Sequence, residues 1–570
     1  YLVRRLLENT SQMGFIKLSH HDHKDKTALL APPDISKPGE SPKTTGSFIN
    51  AGHADFSDVS VRERFISAIT EISRGLPLNI PIVINQRHLF SEKKLIRTCP
   101  SDLSLEVAHV NLASVSHAED AMKASMDAAL AMRTLPLATR MQHLLSLANV
   151  LESERYNLSA LMCLEVGKTW AEADADVAEA IDFCRYYAEM AGVEILPKKM
   201  GDIPSEHNIL SYQGRGPSLI IAPWNFPLAI ICGMSVAAYV SGNPIIMKPS
   251  EQSSATAYRL YQYMIKADFL KEAVQFLPGV GEELGPYLVA HRHTANICFT
   301  GSKKVGHEIM KLANTVFEGQ VQMKRVICEM GGKNAIIVDD DADLDEAVFV
   351  ILKSAFSYAG QKCSAASRLI LLKTIKHQCL QRLINATKSI KMGSALDPSV
   401  FMGPVVDKEA FDRLNRTIKR LENDPQVFIH YLGEPLPKGY FLAPMILEVS
   451  DPRHWVMQEE LFGPILAVYG ADNLEQAVMI ANDTSYALTG AFLSRSPKNI
   501  AYVLDRFLVG NLYINQKCTG AIVARQPFGG FKMSGTGIKA GGPGYLLNLV
   551  DLKVVSENTM RQGFTPEISC

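Results

Sequence analysis

The sequence predicts an α/β fold with parallel sheets and more than one domain. The chain has 570 residues, more than a single hydrophobic core normally supports, so at least two domains are expected. Apolar runs such as SLIIAPW, NPIIMKP, VQFLP and NICFTGS follow one another about one helix apart, which is typical of β-α-β units. A second alternating block begins near Arg325 with RVICEM, NAIIVDD and RLILL, which predicts a second α/β domain.

Composition and charge narrow the class of function. Hydrophobic residues make up 47% of the chain and charged residues 21%, as in ordinary globular proteins. The net charge of -1 disfavours nucleic acid or an anionic membrane as the partner of this segment. The ten cysteines form no CxxC pair, which disfavours a metal site and favours a reducing, cytoplasmic compartment.

Three stretches have distinctive patterns. In residues 1–50 a Pro/Ser/Gly/Thr-rich run predicts a linker, and HHDH at 20–23 is interpreted as a solvated run, with a metal site as the alternative. Apolar spacing of three and four predicts helices from about 116 to 194. Residues 216–247 carry no charge, but four prolines and Asn225 favour a buried strand, a turn and a buried helix over a membrane span.

Two segments are candidates for nucleotide binding. Gly301 and Ser302 follow the apolar run NICFT and precede a helical pattern, and free N–H groups at a helix N-terminus bind anions. Lys248 and Glu251 come just after another strand, at the edge where parallel sheets bind ligands, and Glu251 would repel a 2′-phosphate and so favour NAD over NADP. The alternatives are a purely structural turn and a surface ion pair.

Three further residues are candidates for catalysis. Glu329 follows a very apolar strand, where burial would raise its pKa and make it a usable general base. Cys363 lies among small polar residues and is a candidate nucleophile, although most single cysteines are inert core residues. Asn225 lies between two prolines, and its amide group could stabilise an oxyanion.

These segments together resemble the aldehyde dehydrogenase superfamily. PWNFP, KPSE, FTGS, EMGGKN, GQKC and EELFGP occur in the order of that family, within a resemblance that runs from about residue 100 to 555. The resemblance implies an aldehyde dehydrogenase fold with a Rossmann-like NAD domain, an α/β catalytic domain and a small β oligomerisation flap. It also implies a homodimer.

The resemblance further implies domain boundaries and roles for individual residues. Residues 51–325 would bind NAD, with 195–215 contributing to the flap, 326–540 would be catalytic, and 541–570 would supply the C-terminal oligomerisation strand and tail. Cys363 would attack the aldehyde, Asn225 and the Cys363 N–H would hold the oxyanion, and Glu329 would activate water. The residues implied to bind NAD are Trp224, Lys248, Ser250, Glu251, Gly281, Gly301, Ser302, Glu460 and Phe462.

A narrower resemblance indicates the substrate. The segment INQKCTGAIVARQPFGGFKMSGTGIKAGGPGYL is similar to the Δ1-pyrroline-5-carboxylate dehydrogenase branch, which oxidises L-glutamate γ-semialdehyde to glutamate. The resemblance implies that the N–H groups of Gly520 and Ala521 and the hydroxyl of Ser364 bind the α-carboxylate, and that Phe226 and Phe528 enclose the aliphatic chain. Cys518 departs from the expected pattern, and it is either inert or an oxidation-sensitive thiol at the mouth of the site.

The first residues resemble a different enzyme. YLVRRLLENT is similar to the last substrate-binding helix of proline dehydrogenase, where the arginines corresponding to Arg4 and Arg5 bind a carboxylate. Residues 1–50 would then be a remnant of that helix plus a linker, in the C-terminal part of bifunctional proline utilization A, with a proline dehydrogenase domain as partner in the parent chain. For the function of the chain as a whole, the alternatives are a dehydrogenase for another semialdehyde, an acylating enzyme that uses coenzyme A, and a catalytically silent scaffold.

Overall fold

The computed structural model describes residues 48–536 and 538–559. Arg4, Arg5 and the HHDH run lie outside the described residues, so their roles stay predictions. The α-helices of the described part are α1 (Val59–Arg74), α2 (Val115–Thr134), α3 (Leu137–Ser153), α4 (Arg155–Val166), α5 (Trp170–Glu194), α6 (Ala229–Val240), α7 (Ser254–Lys266), α8 (Gly281–Ala290), α9 (Lys303–Ala313), α10 (Leu344–Phe356), α11 (Lys373–Lys388), α12 (Lys408–Glu422), α13 (Trp455–Gln458), α14 (Leu474–Asn482) and α15 (Pro497–Arg506). Short 3₁₀ helices cover Glu251–Ser253, Lys271–Ala273, Ser357–Gly360 and Tyr545–Leu549.

The β-strands form five sheets within the same residues. Their bounds are β1 (Leu78–Ile80), β2 (Ile82–Ile84), β3 (Arg87–Leu89), β4 (Lys94–Cys99), β5 (Asp102–Asn111), β6 (Lys198–Lys199), β7 (Glu206–Gly214), β8 (Ser218–Ile221), β9 (Ile245–Lys248), β10 (Val274–Phe276), β11 (Asn296–Thr300), β12 (Arg325–Glu329), β13 (Asn334–Val338), β14 (Ala366–Leu372), β15 (Val427–Leu432), β16 (Met445–Val449), β17 (Ile465–Ala471), β18 (Tyr486–Ala487), β19 (Thr489–Leu493), β20 (Asn511–Ile514), β21 (Phe531–Lys532) and β22 (Val550–Asn558).

The first large sheet has the strand order β12-β11-β8-β9-β10-β2-β3. Strands β8 to β12 are parallel, and β2 and β3 extend the sheet in antiparallel fashion. The chain adds β9 and β10 on one side of β8 and then β11 and β12 on the other. This change of direction opens a crevice at the carboxyl ends of β8 and β11, where doubly wound sheets bind their ligands.

The second large sheet has the order β15-β16-β17-β14-β13-β19-β20. All its strands are parallel except β15, and every residue of β13 is buried because helices cover both faces. One assignment from the sequence is corrected here. The run RVICE at Arg325–Glu329 was expected to begin the second α/β block, but as β12 it pairs with β11 in the first sheet.

A small antiparallel sheet has the order β22-β7-β6. Strand β7, inside the predicted 195–215 segment, pairs along its whole length with β22, so the predicted strand pair is present. Leu552 and Val554 on β22 are 58% and 67% exposed. The homodimer that this flap was expected to build stays a prediction.

The uncharged stretch 216–247 folds as the sequence predicted. It contains strand β8, the turn with Asn225, helix α6 and most of strand β9, and α6 is almost wholly buried. No helix in the described ranges is long and apolar enough to cross a membrane. The predicted helical region 116–194 is likewise confirmed, since it holds helices α2 to α5.

Candidate active site

Cys363 follows a tightly constrained turn. Tyr358, Ala359 and Gly360 have consecutive φ angles of 52°, 54° and 69°, in the left-handed region that favours glycine. A Cβ on Gly360 would lie 2.4 Å from the carbonyl oxygen of Gly463, so only glycine fits there. Strained backbone of this kind persists only where the surrounding structure holds it in place, and it concentrates at functional sites.

Side chains on both sides of the turn fix its position. The Gln361 amide donates to the Pro404 carbonyl at 3.2 Å and accepts from the Val406 N–H at 3.0 Å. The buried Lys362 ammonium forms an ion pair of 2.6 Å with Glu172 on α5. The backbone that carries Cys363 is therefore held from neighbouring segments and from a distant helix.

The Cys363 thiol is surrounded by apolar and acidic groups. Burial, together with the negative charges of Glu460 and Glu329, raises the pKa of this thiol to about 12. A thiol with so high a pKa is a poor nucleophile by itself, since the thiolate is the reactive form. The nucleophile therefore requires a base that accepts its proton.

Glu329 lies at the end of β12, close to two glycines. Its Oε1 and Oε2 atoms lie 3.1 Å and 3.3 Å from where a Cβ would stand on Gly529 and Gly535. Within the described part of the chain Oε2 is buried without a hydrogen-bond partner. Burial raises the pKa of Glu329 to about 8, and the positive charge of Lys539 opposes that rise. A carboxyl group that ionises so close to neutrality suits a general base.

Asn225 is held by a buried lysine that the sequence analysis did not single out. The Lys168 ammonium donates to the Asn225 carbonyl at 2.9 Å and to Asp176 at 2.7 Å, and it lies 4.1 Å from the Phe226 ring centre. The Asn225 side chain donates one amide hydrogen to the Gln361 carbonyl at 3.0 Å. Its second amide hydrogen has no protein acceptor among the described residues, which fits a role in stabilising an oxyanion.

One cavity brings together residues from distant parts of the chain. The predicted catalytic and substrate-binding residues that line it are Phe226, Glu329, Cys363, Ser364, Gly520, Ala521 and Phe528. Residues that the sequence analysis missed complete its wall, among them Glu179, Phe183 and Tyr187 on α5 and Met234 on α6. The lining is mostly apolar, with a few polar groups directed at one end, as in many small-molecule sites.

The polar end of this cavity is the loop that contains Gly520 and Ala521. Among the described residues neither of their N–H groups has a protein acceptor. The Ser364 hydroxyl lies beside them and is hydrogen-bonded to the Thr519 hydroxyl at 2.8 Å. Adjacent free N–H groups form a concave site for an anion such as a carboxylate.

Cys518 proves to be a core residue. It is fully buried, its thiol lies 3.5 Å from the Ser364 carbonyl oxygen, and burial raises its pKa to about 11. A buried thiol with a raised pKa reacts slowly with oxidants. The structure thus favours the inert alternative over the oxidation-sensitive one.

A second cavity lies at the carboxyl ends of β8, β9 and β11. The predicted NAD-binding residues that line it are Trp224, Lys248, Ser250, Glu251, Gly281, Gly301 and Ser302. Glu251 Oε1 accepts from the Gly281 N–H at 2.5 Å and from the Lys248 ammonium at 3.1 Å. Ser302 caps α9 by accepting from the Val305 N–H at 3.3 Å, so a helix N-terminus faces the cavity. An acidic side chain, an ammonium and a helix N-terminus are the groups that fit the ribose and phosphates of NAD.

Glu460 and Phe462 line a separate cleft beside that cavity. Glu460 accepts from the Gly332 N–H at 3.0 Å, and burial raises its pKa to about 7. The Phe462 and Trp224 ring centres are 5.6 Å apart, so the cleft adjoins the cavity that Trp224 lines. The predicted cofactor residues are therefore adjacent but do not share a single cavity.

The sequence analysis missed the lysines that support the catalytic groups. Lys168 follows Gly167, which ends α4 in the left-handed conformation. A lysine directly after so apolar a helix was the signal in the sequence that its charge would be buried, and a buried charge needs a partner. Lys539 gave no such signal, since its neighbourhood of glycines indicates only turns. The ion pair of Lys362 with Glu172 joins residues far apart in sequence, which no local pattern predicts.

Comparison with known proteins agrees with this geometry. Residues 90–555 match the aldehyde dehydrogenase family. The chain belongs to that family. This aldehyde dehydrogenase is therefore an oxidoreductase with the mixed α/β fold that its motifs predicted, and the predicted family is confirmed.

Relatives of this aldehyde dehydrogenase have been named and solved. A 1-pyrroline-5-carboxylate dehydrogenase from Oceanobacillus iheyensis is 38% identical over 509 residues, 89% of this chain and 98% of that protein. One from Geobacillus kaustophilus is 41% identical over 508 residues, with 88% and 98% covered. A crystal structure of 1-pyrroline-5-carboxylate dehydrogenase from Thermus with bound NAD is 37% identical with a TM-score of 0.87, covering 90% of this chain and 100% of that one.

A longer protein is also similar. Proline utilization A from Bdellovibrio bacteriovorus is 46% identical with a TM-score of 0.94, and the match covers 99% of this chain but 59% of that one. The aldehyde dehydrogenase described here thus spans about three fifths of that protein. Family membership and the NAD-bound Thermus structure together support NAD as the cofactor.

Proposed function

We propose that this aldehyde dehydrogenase oxidises L-glutamate γ-semialdehyde, the open form of Δ1-pyrroline-5-carboxylate, to L-glutamate with NAD. The observation that carries the proposal is the shared cavity, which is lined by Cys363 and Glu329 and by Gly520 and Ala521, whose N–H groups have no protein acceptor among the described residues. Such a cavity suits a substrate with an aldehyde at one end and a carboxylate at the other. The named relatives, 38% to 41% identical over nearly their whole length, support the same substrate.

The substrate would be held at both ends. The N–H groups of Gly520 and Ala521, with the Ser364 hydroxyl, would donate to the α-carboxylate. The Phe226 and Phe528 rings would enclose the methylene groups, since apolar surface favours contact with them over water. This arrangement would place the aldehyde carbon next to the Cys363 sulfur, so that the reaction becomes effectively intramolecular.

The first chemical step would be attack by the Cys363 sulfur on the aldehyde carbon to form a thiohemiacetal: the S–C bond forms, the carbonyl π electrons pass to the oxygen, and the thiol proton passes to solvent water. The oxyanion would be stabilised by the free Asn225 amide hydrogen and by the Cys363 N–H, which has no protein acceptor among the described residues. NAD, when bound, supplies the hydride acceptor. Lys248, Glu251 and Ser302 would hold it, and Glu460 with Phe462 would lie near its nicotinamide end.

The second step would hydrolyse the thioester that remains on Cys363. Glu329 lines the same cavity and has a free carboxylate oxygen, so it would take a proton from the attacking water. Because only the ionised carboxylate is a base, and its pKa is raised to about 8, hydrolysis should accelerate as the pH rises through that value. Glutamate would then leave and restore the thiol.

We infer further that this chain is the C-terminal part of a bifunctional proline utilization A. The match to the Bdellovibrio protein, which covers almost all of this chain but only part of that one, supports the inference. A proline dehydrogenase domain would then be the partner in the parent chain and would supply the precursor of the semialdehyde. A cytoplasmic location is consistent with this function and stays a prediction.

The test is NADH formation at 340 nm with glutamate semialdehyde, beside a panel of other aldehydes and the Cys363→Ala variant. We expect strong turnover with glutamate semialdehyde and a loss of at least about 10⁴-fold in the variant, since the nucleophile is removed. Turnover with other aldehydes only would refute the proposed substrate but leave the proposed reaction mechanism in place. Undiminished turnover in the variant would refute the role of Cys363, and no turnover with any aldehyde would favour a silent scaffold.

A further inference from the structure

Lys539 lies behind the proposed base, in a segment that closes over Glu329. Residues 534–536 pair with the end of β12: the Met330 N–H donates to the Ser534 carbonyl at 2.9 Å, and the Thr536 N–H donates to the Cys328 carbonyl at 2.9 Å. The chain then turns so that the Lys539 side chain passes beside Gly529. From a Cβ built on Gly529, the Lys539 Cγ atom and Glu329 Oε1 would each be 3.1 Å away. The lysine chain and the carboxylate thus flank the same glycine.

The Lys539 ammonium is held by oxygen atoms of Gly510 and Asn511. It donates to the Gly510 carbonyl and lies 3.4 Å from the Asn511 side-chain oxygen. Lys539 lines an open cavity with Gly510 and Asn511, whereas its neighbour Ala540 lines the substrate cavity. The half-buried ammonium group is therefore held in place by these oxygen atoms, while Oε2 of Glu329 is buried.

No other cation affects Glu329 within the described residues. The titratable groups that interact electrostatically with it are Lys539, Cys328, Cys363 and Tyr545, and only Lys539 carries a positive charge. Burial raises the pKa of Glu329, and the positive charge of Lys539 opposes that rise. Burial lowers the pKa of Lys539, and the negative charge of Glu329 opposes that fall. The two groups do not form an ion pair within 4.0 Å, so the carboxylate stays free to accept a proton.

We propose that Lys539 is a positioning residue whose charge increases the ionised fraction of the buried Glu329 carboxyl group without forming an ion pair with it. The inference rests on the proposed role of Glu329 as the base for thioester hydrolysis. A direct ion pair would block the carboxylate oxygen that must reach water, and without any cation a still smaller fraction of the base would be ionised at neutral pH. A fixed charge near the carboxylate but beyond ion-pair distance avoids the first outcome and reduces the second.

The test compares two variants of the whole enzyme with matched geometry. Lys539→Gln keeps an amide that can donate to the Gly510 carbonyl but removes the charge, and Lys539→Arg keeps the charge. The decay of the Cys363 acyl-enzyme is followed by rapid quench and mass spectrometry from pH 6 to 10. In the Gln variant we expect the midpoint of the pH profile to move about one unit toward alkaline pH, because an opposite charge at this range shifts a carboxyl pKa by that order.

The remaining outcomes separate a charge effect from a structural one. The Gln variant should lose about tenfold in hydrolysis at pH 7 and recover most of it at pH 10, and the Arg variant should keep the original midpoint. Lys532→Gln, which removes an exposed lysine of the same segment, is the control and should leave the midpoint unchanged. A uniform loss at every pH in the Gln variant, or an Arg variant that behaves like Gln, would overturn the proposal. If the Gln variant does not fold, Lys539→Met takes its place under the same criteria.

The same experiment distinguishes this inference from the proposed function. If the unmodified enzyme does not oxidise glutamate semialdehyde, the substrate proposal fails. If it does oxidise that substrate and forms the acyl-enzyme, but the charge on residue 539 leaves the pH profile in place, only the role of Lys539 fails.

Discussion

The substrate cavity, which Cys363 and Glu329 line, and the nucleotide cavity, which Lys248 and Glu251 line, differ in how completely their polar groups are hydrogen-bonded to one another. In the nucleotide cavity, Glu251 accepts from both Lys248 and the Gly281 N–H, and Ser302 caps its own helix. In the substrate cavity, Glu329 Oε2 has no partner within the described ranges, and burial moves the pKa of Cys363 to about 12. A binding site can have its polar groups hydrogen-bonded to one another before its ligand arrives. A catalytic site instead keeps buried polar groups that find their partners only during the reaction. Substitutions should therefore change mainly the affinity for the cofactor in the nucleotide cavity and mainly the reaction rate in the substrate cavity.

The largest effect within this comparison is expected at the proposed base. Glu329→Gln keeps the size of the side chain but cannot accept a proton, so steady turnover should fall by about 10³-fold. Attack, hydride transfer and the first NADH should remain, because the hydrolysis of the thioester comes later. Stopped-flow absorbance at 340 nm should show a burst close to one NADH per active site, followed by a slow phase.

The burst distinguishes a hydrolytic base from a base that activates the thiol. If Glu329→Gln abolished the burst together with steady turnover, Glu329 would be needed to deprotonate Cys363 in the first step. Unchanged steady turnover would remove Glu329 from the mechanism altogether, and another carboxyl group of the cavity, Glu179, would become the candidate, since burial and nearby acids raise its pKa to about 8 as well.

A smaller loss of rate is expected at the proposed oxyanion site. Asn225→Ala removes the free amide hydrogen, and the loss of one oxyanion donor lowers kcat by about 10²-fold. The affinity for NAD, measured by the quenching of protein fluorescence, should stay within about twofold, because Asn225 does not line the nucleotide cavity. A weakened affinity for NAD with an unchanged kcat would contradict the assignment and would show that Asn225 contributes to cofactor binding and not to catalysis.

The contrast between the cavities also explains what the sequence could predict. Lys248, Glu251 and Ser302 lie on strand–turn–helix units a few residues long, so local pattern and helix-terminus chemistry were enough to place them. Lys168 donates to the Asn225 carbonyl across 57 residues of chain, and Lys539 acts electrostatically on Glu329 across a far longer separation in sequence. Such contacts depend on how whole elements pack, which no local pattern encodes.

The misassigned strand has a related cause. The run at Arg325–Glu329 has the apolar centre of a parallel strand, with Ile327 and Cys328 buried, and either large sheet would accept such a pattern. Periodicity identifies a strand but does not say which sheet receives it. Glu329 at its end nevertheless lines the cavity that Cys363 also lines, because its position depends on the strand terminus and not on the neighbouring strands.

The smallest effect is expected in the nucleotide cavity, where Glu251→Gln tests the preference for NAD. Glutamine can still accept from the Gly281 N–H and the Lys248 ammonium, so the fold around it should persist, but the negative charge that would repel a 2′-phosphate is gone. The KM for NAD should rise about tenfold, and the ratio of kcat/KM for NADP over NAD should rise by at least as much, with kcat for NAD nearly unchanged. Glu283→Gln on the same helix α8, where an exposed carboxylate pairs with Lys93 at 2.6 Å, is the matched control and should change neither constant. A fall in kcat without a change in KM would show that this cavity, too, holds groups whose hydrogen bonds form only during the reaction, and the distinction between the two regions would fail.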